Sequence, residues 1–582
     1  MEKLCKKRLK VDLCVVGGGM AGLNVAITSA RLGLKVALIQ ERPVFGGNAS
    51  GEIRMWVCGI QDFIYRETGL SEEINLENYY YNPTKAYPLW DALLYGKVQA
   101  EENIIPLLNC TCFDAQTHGN TIQFVTAYQM TTQTLFEVEA RYFADCSGDS
   151  ILAPLTGAHF SIGREAKTEY DEPMQTHEDS DGKTMGNSCL LQARQTDKKV
   201  PFRAPSWAEK VSVEKLKSKN VDLRRANENF WYIELGGVLD TIADAEYINK
   251  RLLALCLGIW DTIKNSGEFD ADCFELEFIG FLGAKRESRR MKGDYTLTAN
   301  DIAQGKVFED TVAYGGWPLD DHNPEGFDGD KSNYMIHVQK PYGIPYRCLY
   351  SKNIDNLFFA GRNISATHMA MSSARVMGTC SIIGQAVGVA SAVAKKYGIS
   401  PREVGAHIQE VQQLLLKHDC YLPQIKRETV CQNATLTGAS DLLRNGEDRD
   451  FYGQTNGEFI ENGKSVKYLF DTPAFVSEIK IVFDSDLTRS TYETNDCEKH
   501  HSTRCNILAD SPVMHMPKTL AKAFEVEVLT EGGERIRVLS ERENKRRNIL
   551  LPVGSKVREI ALTVLENWGD TQSTKVFTFE YM

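Results

Sequence analysis

The sequence predicts an α/β fold, in which a Rossmann-like domain is interrupted by an inserted α+β domain and followed by a C-terminal all-β sandwich. The first observation is a strand, glycine turn, helix and second strand at residues 11–47. The second is a strand, turn and small-residue helix at residues 356–394, which is typical of a late return to the same domain. The third is a series of short alternating runs after residue 425, separated by turn residues.

A glycine-rich turn follows the first predicted strand. Residues 11–16 are apolar and lead directly into Gly17, Gly19 and Gly22. The first glycine allows a tight turn, the second lets the backbone approach a pyrophosphate, and the third lets the helix pack closely on the strand. The N-terminus of that helix offers free N–H groups and a positive dipole end to phosphates. This order of elements predicts a dinucleotide site rather than an ordinary glycine turn.

An acidic residue completes the pattern. The second predicted strand, residues 36–39, ends close to Glu41, which lies 19 residues after Gly22. A carboxylate at this distance can accept hydrogen bonds from ribose hydroxyls. NAD and FAD share this fingerprint, so the rest of the chain has to distinguish between them.

The return segment favours FAD. Residues 356–360 are predicted to form a strand, Gly361 and Arg362 its turn, and residues 376–394 a helix rich in small residues. A helix that points its N-terminus at the flavin pyrimidine would stabilise the negative charge of the reduced ring. The glycines of this helix are expected to leave space for a cofactor or a strand: Gly378, Gly384 and Gly388.

Several separate motifs occur in the order found in a known family. They are GGGMAG (17–22), ERPVFGGNASGEIRMW (41–56), ADCSGDSILAPLTGA (144–158), AKRESRRMKGDYTLT (284–298), YGIPYRCL (342–349) and the run AGRNISATH…RVMGT…GQAVG (360–388). On these motifs the chain resembles the FAD-dependent oxidoreductases of the fumarate reductase/succinate dehydrogenase flavoprotein-like class. Within that class it resembles a bacterial group whose substrates are mostly unassigned. The resemblance spans roughly residues 10–397 and implies fold and cofactor, but not substrate.

The resemblance also implies individual contacts with FAD. The segment at 144–149 would be a strand and glycine turn that passes near the adenosine. The pair Gly46 and Gly47 would lie along the pyrophosphate or the edge of the isoalloxazine ring. The full set of expected FAD-binding residues is Gly17, Gly19, Met20, Ala21, Gly22, Glu41, Arg42, Gly46, Gly47, Ser147, Gly148, Asp149, Gly361, Arg362, Gly378 and Thr379.

Four segments are predicted along the chain. Residues 1–155 form the first part of the FAD-binding domain, 156–340 a substrate or cap domain, 341–424 the second part of the FAD-binding domain, and 425–582 a β-sandwich. The last segment resembles a discoidin-like, galactose-binding-type module. Such modules bind sugars or serve as lids and dimer contacts, and both roles stay open.

Composition excludes several classes of function. The 582 residues carry a net charge of −12, which argues against general affinity for nucleic acid or anionic lipid. The 15 cysteines are scattered, and the basic N-terminus lacks the apolar core of a secretory signal, so a cytoplasmic protein is expected. Residues 376–394 are interpreted as a buried helix beside the flavin and not as a membrane span. His500 and His501 near Cys497 and Cys505 are interpreted as chance clustering, so no metal site is predicted.

His368 and Arg375 are the first candidates for substrate chemistry. His368 lies seven residues after Gly361, and Arg375 lies seven residues after His368. Both fall between the predicted strand and helix that flank the flavin. The resemblance implies that a His and an Arg in this region hold substrate anions. The alternatives are a structural histidine and an arginine that binds phosphates or carbonyls within the FAD site.

Further candidates follow the other motifs. Arg289 lies in the KRESRR run (285–290), where Arg286 and Arg290 are equally suited to bind a carboxylate or to form ion pairs with Glu287 and Asp294. Arg54, just after the Gly46 and Gly47 turn, is expected near the flavin. His337 precedes the final strand of the FAD-binding domain and is a further candidate.

The main hypothesis is an FAD-dependent oxidoreductase that transfers a hydride between flavin N5 and a small polar substrate, either a carbohydrate-derived hydroxyl compound or an organic acid. One alternative is a carbohydrate-binding or scaffold protein with a structural FAD. Another is an NAD-dependent dehydrogenase, which leaves residues 356–394 unexplained. The expected partners are a small-molecule substrate and an electron acceptor that the motifs do not specify, with a homo-oligomer left open.

Overall fold

The structure is a computed structural model that describes residues 5–175, 177–429, 431 and 433–582. The chain divides into two compact units. The first consists of Met1–Gln61, Thr84–Val411 and Asn495–Pro512. The second consists of Asp62–Pro83, Gln412–Thr494 and Val513–Met582. Each unit therefore contains a short segment whose sequence neighbours belong to the other unit, and the four-part division drawn from the sequence stays a prediction.

The centre of the first unit is a seven-stranded sheet whose core is parallel. Val15 of the first strand is paired with Leu38 on one side and Ala144 on the other, and Ala144 is in turn paired with Phe358 of the returning strand. The predicted return to the N-terminal sheet, and with it the Rossmann-like fold class, is confirmed. The strands of this sheet are Cys5–Val16, Val36–Ile39, Ile104–Leu107, Cys110–His118, Thr121–Gln129, Thr134–Asp145 and Leu357–Phe359.

Two helices pack on each other beside this sheet. They are Met20–Arg31 and Met377–Tyr397, and they approach so closely that a Cβ on Gly384 would lie 2.2 Å from the carbonyl oxygen of Ala21. A Cβ on Gly388 would lie 2.7 Å from Cβ of Thr28. These two glycines were expected to make room for a cofactor or a strand, and the structure places a helix there instead.

The second of these helices is also the one that resembles a membrane span. Among the described residues, Met377–Tyr397 alone is long and apolar enough to cross a membrane, and 89% of its most apolar window is buried inside the protein. Its burial follows from the close packing of its small residues on the first helix.

Residues 187–327 of the first unit lie within the predicted substrate or cap domain, are called the cap part here, and have their own apolar core. The long helix Ala245–Asn265 places Leu252, Leu255 and Ile259 in this core, against the two-stranded sheet Leu191–Gln195 and Phe274–Ile279. Further short strands of the unit pair as Asn187–Ser188 with Glu234–Leu235 and Ala284–Lys285, Phe160–Ser161 with Arg290–Met291, Thr311–Gly315 with Tyr342–Pro345, and Leu319–His322 with Asn333–Ile336.

The remaining helices are short. The α-helices are Tyr87–Gln99, Leu152–Thr156, Val213–Lys217, Ala299–Ala303, His368–Ala374 and Asp496–His500 in the first unit, Leu70–Tyr81 in the second, and Ile408–Lys417 across the boundary in sequence. The 3-10 helices are Gly47–Ala49, Phe63–Tyr65, Gly326–Asp328, Tyr346–Cys348, Arg402–His407 and Asp441–Arg444.

The second unit contains the predicted C-terminal all-β module, which is confirmed, together with the helix Leu70–Tyr81. The strands Ser465–Phe483 and Asn548–Asn567 continue over 19 and 20 residues, because β-bulges let the chain bend without leaving the ladder. One such bulge lies between Leu469 and Ala474. The strands are Thr435–Thr437, Glu458–Glu461, Ser465–Phe483, Ala521–Thr530, Arg535–Glu541, Asn548–Asn567 and Ser573–Tyr581.

The packing of the helix Met20–Arg31 on the helix Met377–Tyr397 can be tested at one glycine. Because a methyl group at position 384 would overlap the backbone of Ala21, we expect Gly384→Ala to lower the free energy of unfolding by about 2 kcal/mol. The matched control is Gly96→Ala, in the helix Tyr87–Gln99, where a Cβ would meet nothing within 4 Å. That change should raise stability by about 0.5 kcal/mol. Equal unfolding free energies for the two variants in urea titrations would contradict the packing argument.

Candidate functional site

The predicted dinucleotide residues lie where parallel strands end. Gly17 follows the strand Cys5–Val16, Glu41 follows Val36–Ile39, and Gly361 follows Leu357–Phe359. Ligands of open α/β sheets bind at this carboxyl edge.

Glycine is required at the first turn. Gly17 has a φ of +104°, and a Cβ there would lie 2.4 Å from the carbonyl oxygen of Cys146. A Cβ on Gly22 would lie 1.8 Å from the carbonyl oxygen of Gly17. Gly19 is the N-cap of the helix Met20–Arg31 and provides no side-chain cap, so the first N–H groups of the helix are not covered by a capping side chain.

A second glycine turn lies directly against the first. The N–H of Gly46 donates to the carbonyl of Gly18 at 2.9 Å, and Gly46 forms a parallel bridge with Gly19. A Cβ on Gly47 would lie 3.1 Å from the Cα of Gly19. Two stretches of backbone without side chains therefore form one cradle, with room for a phosphate group to approach the peptide N–H groups.

A third turn joins the cradle to the return segment. Gly148 has a φ of +78°, and the guanidinium of Arg362 occupies the space that its Cβ would fill, at 2.8 Å. Arg362 Nη2 donates to Asp149 Oδ1 at 2.8 Å. Behind this pair, the carboxylate of Asp145 accepts hydrogen bonds from the backbone and hydroxyl of Ser147, which fixes the turn.

Asp149 also connects the cradle to the run 285–290. Lys285 Nζ lies 2.6 Å from Asp149 Oδ2, and the Ser288 hydroxyl donates to Asp149 Oδ1 at 2.8 Å. Burial opposes ionisation of this carboxyl, but the charges of Arg362 and Lys285 outweigh it and lower the pKa of Asp149. A charged Asp149 thus links its own turn to the run 285–290 and to Arg362 of the return segment.

Several polar atoms around the cradle have unused hydrogen-bonding capacity. Among the residues described, the buried atoms without a hydrogen-bond partner include Nε and Nη1 of Arg42, Nε of Arg362 and Oγ1 of Thr379. All three residues belong to the set predicted to bind FAD. Buried donors of this kind normally have partners, and phosphate and carbonyl oxygens of a dinucleotide would supply them. The glycine cradle and these donors therefore fit FAD.

A second cluster of charged side chains lies in the cap part of the unit. The guanidinium of Arg286 donates to Ser188 Oγ at 2.7 Å and to the carbonyl of Trp231 at 3.0 Å, and it forms an ion pair with Glu234 at 3.1 Å. His322 Nδ1 lies 2.6 Å from the same carboxylate oxygen, Glu234 Oε2.

Asp320 and Arg375 extend this cluster. His322 Nε2 lies 3.4 Å from Asp320 Oδ2, and Arg375 Nη2 lies 3.6 Å from the same oxygen. Burial opposes ionisation of Asp320, but His322 and Arg375 lower the pKa of this carboxyl. The cluster of Arg286, Glu234, His322, Asp320 and Arg375 is called the arginine cluster below.

The arginine cluster lies beside the cradle. Burial raises the pKa of the Cys380 thiol to about 12, against the opposing charges of Arg362 in the cradle and Arg375 in the cluster. Cys58 interacts electrostatically with Arg286, and its carbonyl accepts a hydrogen bond from the N–H of Gly378 at 2.6 Å. The N-terminus of the helix Met377–Tyr397 therefore has cradle residues and cluster residues as neighbours.

His368 occupies a different, fully buried position. Its Nδ1 lies 2.9 Å from Glu287 Oε2 and its Nε2 lies 3.0 Å from Asp321 Oδ1. Burial alone would lower the pKa of His368, but the two carboxylates outweigh it and raise the pKa to about 10. The charged imidazolium donates through both nitrogens, so it has no lone pair for a substrate proton. The predicted role of His368 in substrate chemistry stays a prediction, and this geometry favours the structural alternative.

The other three candidates lie apart from one another. Arg289 Nη1 donates to the carbonyl of Asp149 at 3.2 Å, next to the cradle. Arg54 has a φ of +67° and lies over the ring of Phe278 at 4.1 Å. His337 is exposed and follows the edge strand Asn333–Ile336.

Three members of the arginine cluster were not predicted from the sequence: Glu234, Asp320 and His322. The available signal is the run LDDH at 319–322, a short strand in which every residue is buried, because consecutive buried polar side chains need charged partners. Of the ion pairs considered for the run 285–290, Arg290 does pair with Glu287, whereas Asp294 pairs with Arg402.

Metal chemistry has no candidate site in the part of the chain that the structure describes. No group of three or more His, Cys, Asp or Glu side chains there is arranged to hold an ion.

Comparison with known proteins gives a family match. A family model described as FAD dependent oxidoreductase matches residues 12–415. No curated protein matches the sequence.

Solved structures also resemble parts of the chain. The E. coli quinol fumarate reductase FrdA is 11% identical with a TM-score of 0.28, covering 73% of this chain and 76% of that one. Mycobacterium smegmatis Sdh1 in complex with UQ1 is 12% identical with a TM-score of 0.29, covering 70% and 77%. The family 32 carbohydrate-binding module from Streptococcus pneumoniae EndoD is 11% identical with a TM-score of 0.19, covering 27% of this chain and 99% of the module.

The buried histidine provides a stability test with a defined pH dependence. We expect His368→Gln to lower the free energy of unfolding at pH 7 by about 3 kcal/mol, because Glu287 and Asp321 lose the cation between them. Folding raises the pKa of His368 from its ordinary value of 6.5 to about 10. The stability that the charged imidazole contributes is therefore complete below pH 6.5 and is lost as the pH rises through about 10. The difference between wild type and variant should therefore shrink over that interval.

The matched control for this test is His337→Gln, at an exposed position, which should change the unfolding free energy by less than about 0.5 kcal/mol. Urea titrations from pH 6 to pH 10 measure both variants. A difference between wild type and His368→Gln that grows with pH would contradict the ion-pair assignment.

Proposed function

The chain belongs to the family of FAD-dependent oxidoreductases, and we propose that it transfers a hydride between flavin N5 and a small organic acid. The observation that carries this proposal is the arginine cluster, in which Glu234, His322 and Asp320 link Arg286 to Arg375, and Arg375 lies one residue before the N-cap of the helix Met377–Tyr397. When bound, FAD supplies the hydride chemistry at N5. The residues of the glycine cradle, with Arg42, Arg362 and Thr379, would hold it.

The two arginines are suited to a substrate carboxylate. Arg375 has a loose ion pair at 3.6 Å and one hydrogen bond to a carbonyl at 3.3 Å, and its Nε has no hydrogen-bond partner among the described residues. A guanidinium has five N–H donors, so donors remain for a ligand. Burial and the like charge of Arg375 lower the pKa of Arg286, and an anion bound between them would relieve this repulsion.

His322 is the group best placed to move a proton. Its Nδ1 is held tightly by Glu234 at 2.6 Å, while its Nε2 has only the longer contact of 3.4 Å with Asp320. A carboxylate that fixes one ring nitrogen orients the other for acid–base work. Bound FAD would supply the hydride acceptor for a hydroxy acid, and His322 in its neutral form would take the hydroxyl proton at Nε2. In the reverse reaction His322 returns that proton.

The competing substrate class is a carbohydrate-derived hydroxyl compound. A reaction with the flavin, rather than binding alone, distinguishes it from an organic acid. Anaerobic incubation of the yellow protein with hydroxy acids should bleach the flavin absorbance, whereas neutral sugars should leave it unchanged. Bleaching by sugars alone would replace the organic acid with the carbohydrate class. Absence of bleaching by any compound would favour the alternative of a structural FAD.

The arginine cluster can be tested with malonate, a dicarboxylate that carries no hydroxyl to oxidise. We expect malonate to shift the flavin absorbance of the wild type, and Arg375→Gln to raise the malonate Kd by about 10- to 100-fold, because a charged hydrogen bond is lost. Arg224→Gln is the control, since Arg224 is 51% exposed and pairs with Asp270 at the surface. Equal malonate affinity in wild type and Arg375→Gln would remove the arginine cluster as the anion site.

A further inference from the structure

A segment from the C-terminal half of the sequence belongs to the oxidoreductase unit. Residues 495–512, called the strap here, are part of the first unit, although the residues on either side of them in sequence belong to the second. The strap contains one short helix, Asp496–His500. It also lies outside residues 12–415, the part of the chain that matches the family.

One end of the strap is bound to the cap sheet. The N–H of Ile507 donates to the carbonyl of Ala193 at 2.8 Å, and the N–H of Gln195 donates to the carbonyl of Ile507 at 2.8 Å. Asn506 Oδ1 accepts a hydrogen bond from the N–H of Ala193 at 2.9 Å. The strap thus adds a parallel bridge to the edge strand Leu191–Gln195.

The other end is held by a buried lysine. Lys85 is 2% exposed, and its Nζ donates to the carbonyls of Glu498 and His501 in the strap. Arg504 Nη1 donates to the carbonyl of Thr84 at 2.9 Å. Burying an ammonium is costly unless it is hydrogen-bonded, so these contacts fix the path of the strap between its two ends.

Between these ends the strap contacts residues 54–58. The rings of Trp56 and His501 stack at 4.3 Å with an interplanar angle of 18°. The N–H of Val57 donates to Ser502 Oγ at 3.2 Å. Residues 54–60 form no helix or strand, so their position depends on contacts of this kind and not on a ladder of backbone hydrogen bonds.

The opposite side of residues 54–58 faces the proposed site. The carbonyl of Cys58 accepts the hydrogen bond from Gly378. Met55 and Trp231 pack against the same small apolar cluster, and the carbonyl of Trp231 accepts a hydrogen bond from Arg286. Arg54 donates through Nη1 to Gln192, whose Nε2 donates to the carbonyl of Arg504 in the strap. Residues 54–58 therefore lie between the strap and the arginine cluster.

We propose that the strap is a positioning element of the substrate site: it holds residues 54–58 against the N-terminus of the helix Met377–Tyr397 and thereby sets the space in front of Arg286. This inference rests on the proposed function for its link to substrate. Displacements well below the size of an atom lower the efficiency of bound, oriented groups. The strap residues act through residues 54–58 and do not themselves contact the reacting atoms.

The test uses the full-length holoprotein with Trp56→Ala and His501→Ala, singly and together. Trp207→Ala is the control, because Trp207 is another tryptophan of the same unit and is 55% exposed. Each strap variant should keep its FAD and raise the malonate Kd by about tenfold, and the double variant should do no worse than the stronger single one, as expected for two residues of one contact. The control should bind malonate like the wild type.

Hydrogen exchange provides a readout that does not depend on the substrate class. In the strap variants the amides of residues 55–58 and of Gly378 should exchange faster, while those of Met20–Arg31 should not change. Unchanged amide exchange at residues 55–58 in the strap variants overturns the positioning role of the strap, whether or not the malonate Kd changes. If exchange is faster in the variants but the wild type does not bind malonate, the positioning role of the strap is supported and the organic acid is refuted as the substrate class. If Trp56→Ala does not fold, Ser502→Ala removes only one hydroxyl and takes its place in both measurements.

Discussion

The site depends on close approach of backbone to backbone at glycine. A Cβ at Gly22 would lie 1.8 Å from the carbonyl oxygen of Gly17, and a Cβ at Gly384 would lie 2.2 Å from that of Ala21. These contacts bring the first helix onto both the first strand and the returning helix. Only with that spacing do the turns after three parallel strands meet at one edge of the sheet, where a dinucleotide can reach their N–H groups.

His368 and His322 differ in their hydrogen-bond partners. His368 is enclosed by two carboxylates and stays charged, which makes it a fixed counter-ion. His322 has one short contact, to Glu234, and one long contact, to Asp320. In a buried environment the difference between a satisfied and a partly satisfied imidazole decides whether it can exchange a proton. The sequence position of His368 next to the cradle is therefore a poorer guide to chemistry than its partners are.

The sequence predicted what is local and missed what is assembled from distant residues. The glycine turn, the second strand and the return helix are recognisable because each depends on spacing within a few dozen residues. The contact between Glu234 and His322 joins residues 88 positions apart through two short strands, and no spacing rule covers it. The exchange of residues 62–83 and 495–512 between units likewise has no local signal. The first segment is mainly the helix Leu70–Tyr81 and the second is mainly irregular, and neither pattern specifies the unit against which it packs.

The strap gives a physical reason for the C-terminal half to be part of the same chain. A segment bound through backbone bridges and a buried lysine costs conformational entropy to order, and covalent connection keeps its effective concentration high. Residues 54–58 have no ladder of their own, yet they lie between the strap and Arg286. The family match ends at residue 415, so the residues that fix this wall of the site come from outside the part shared with the family.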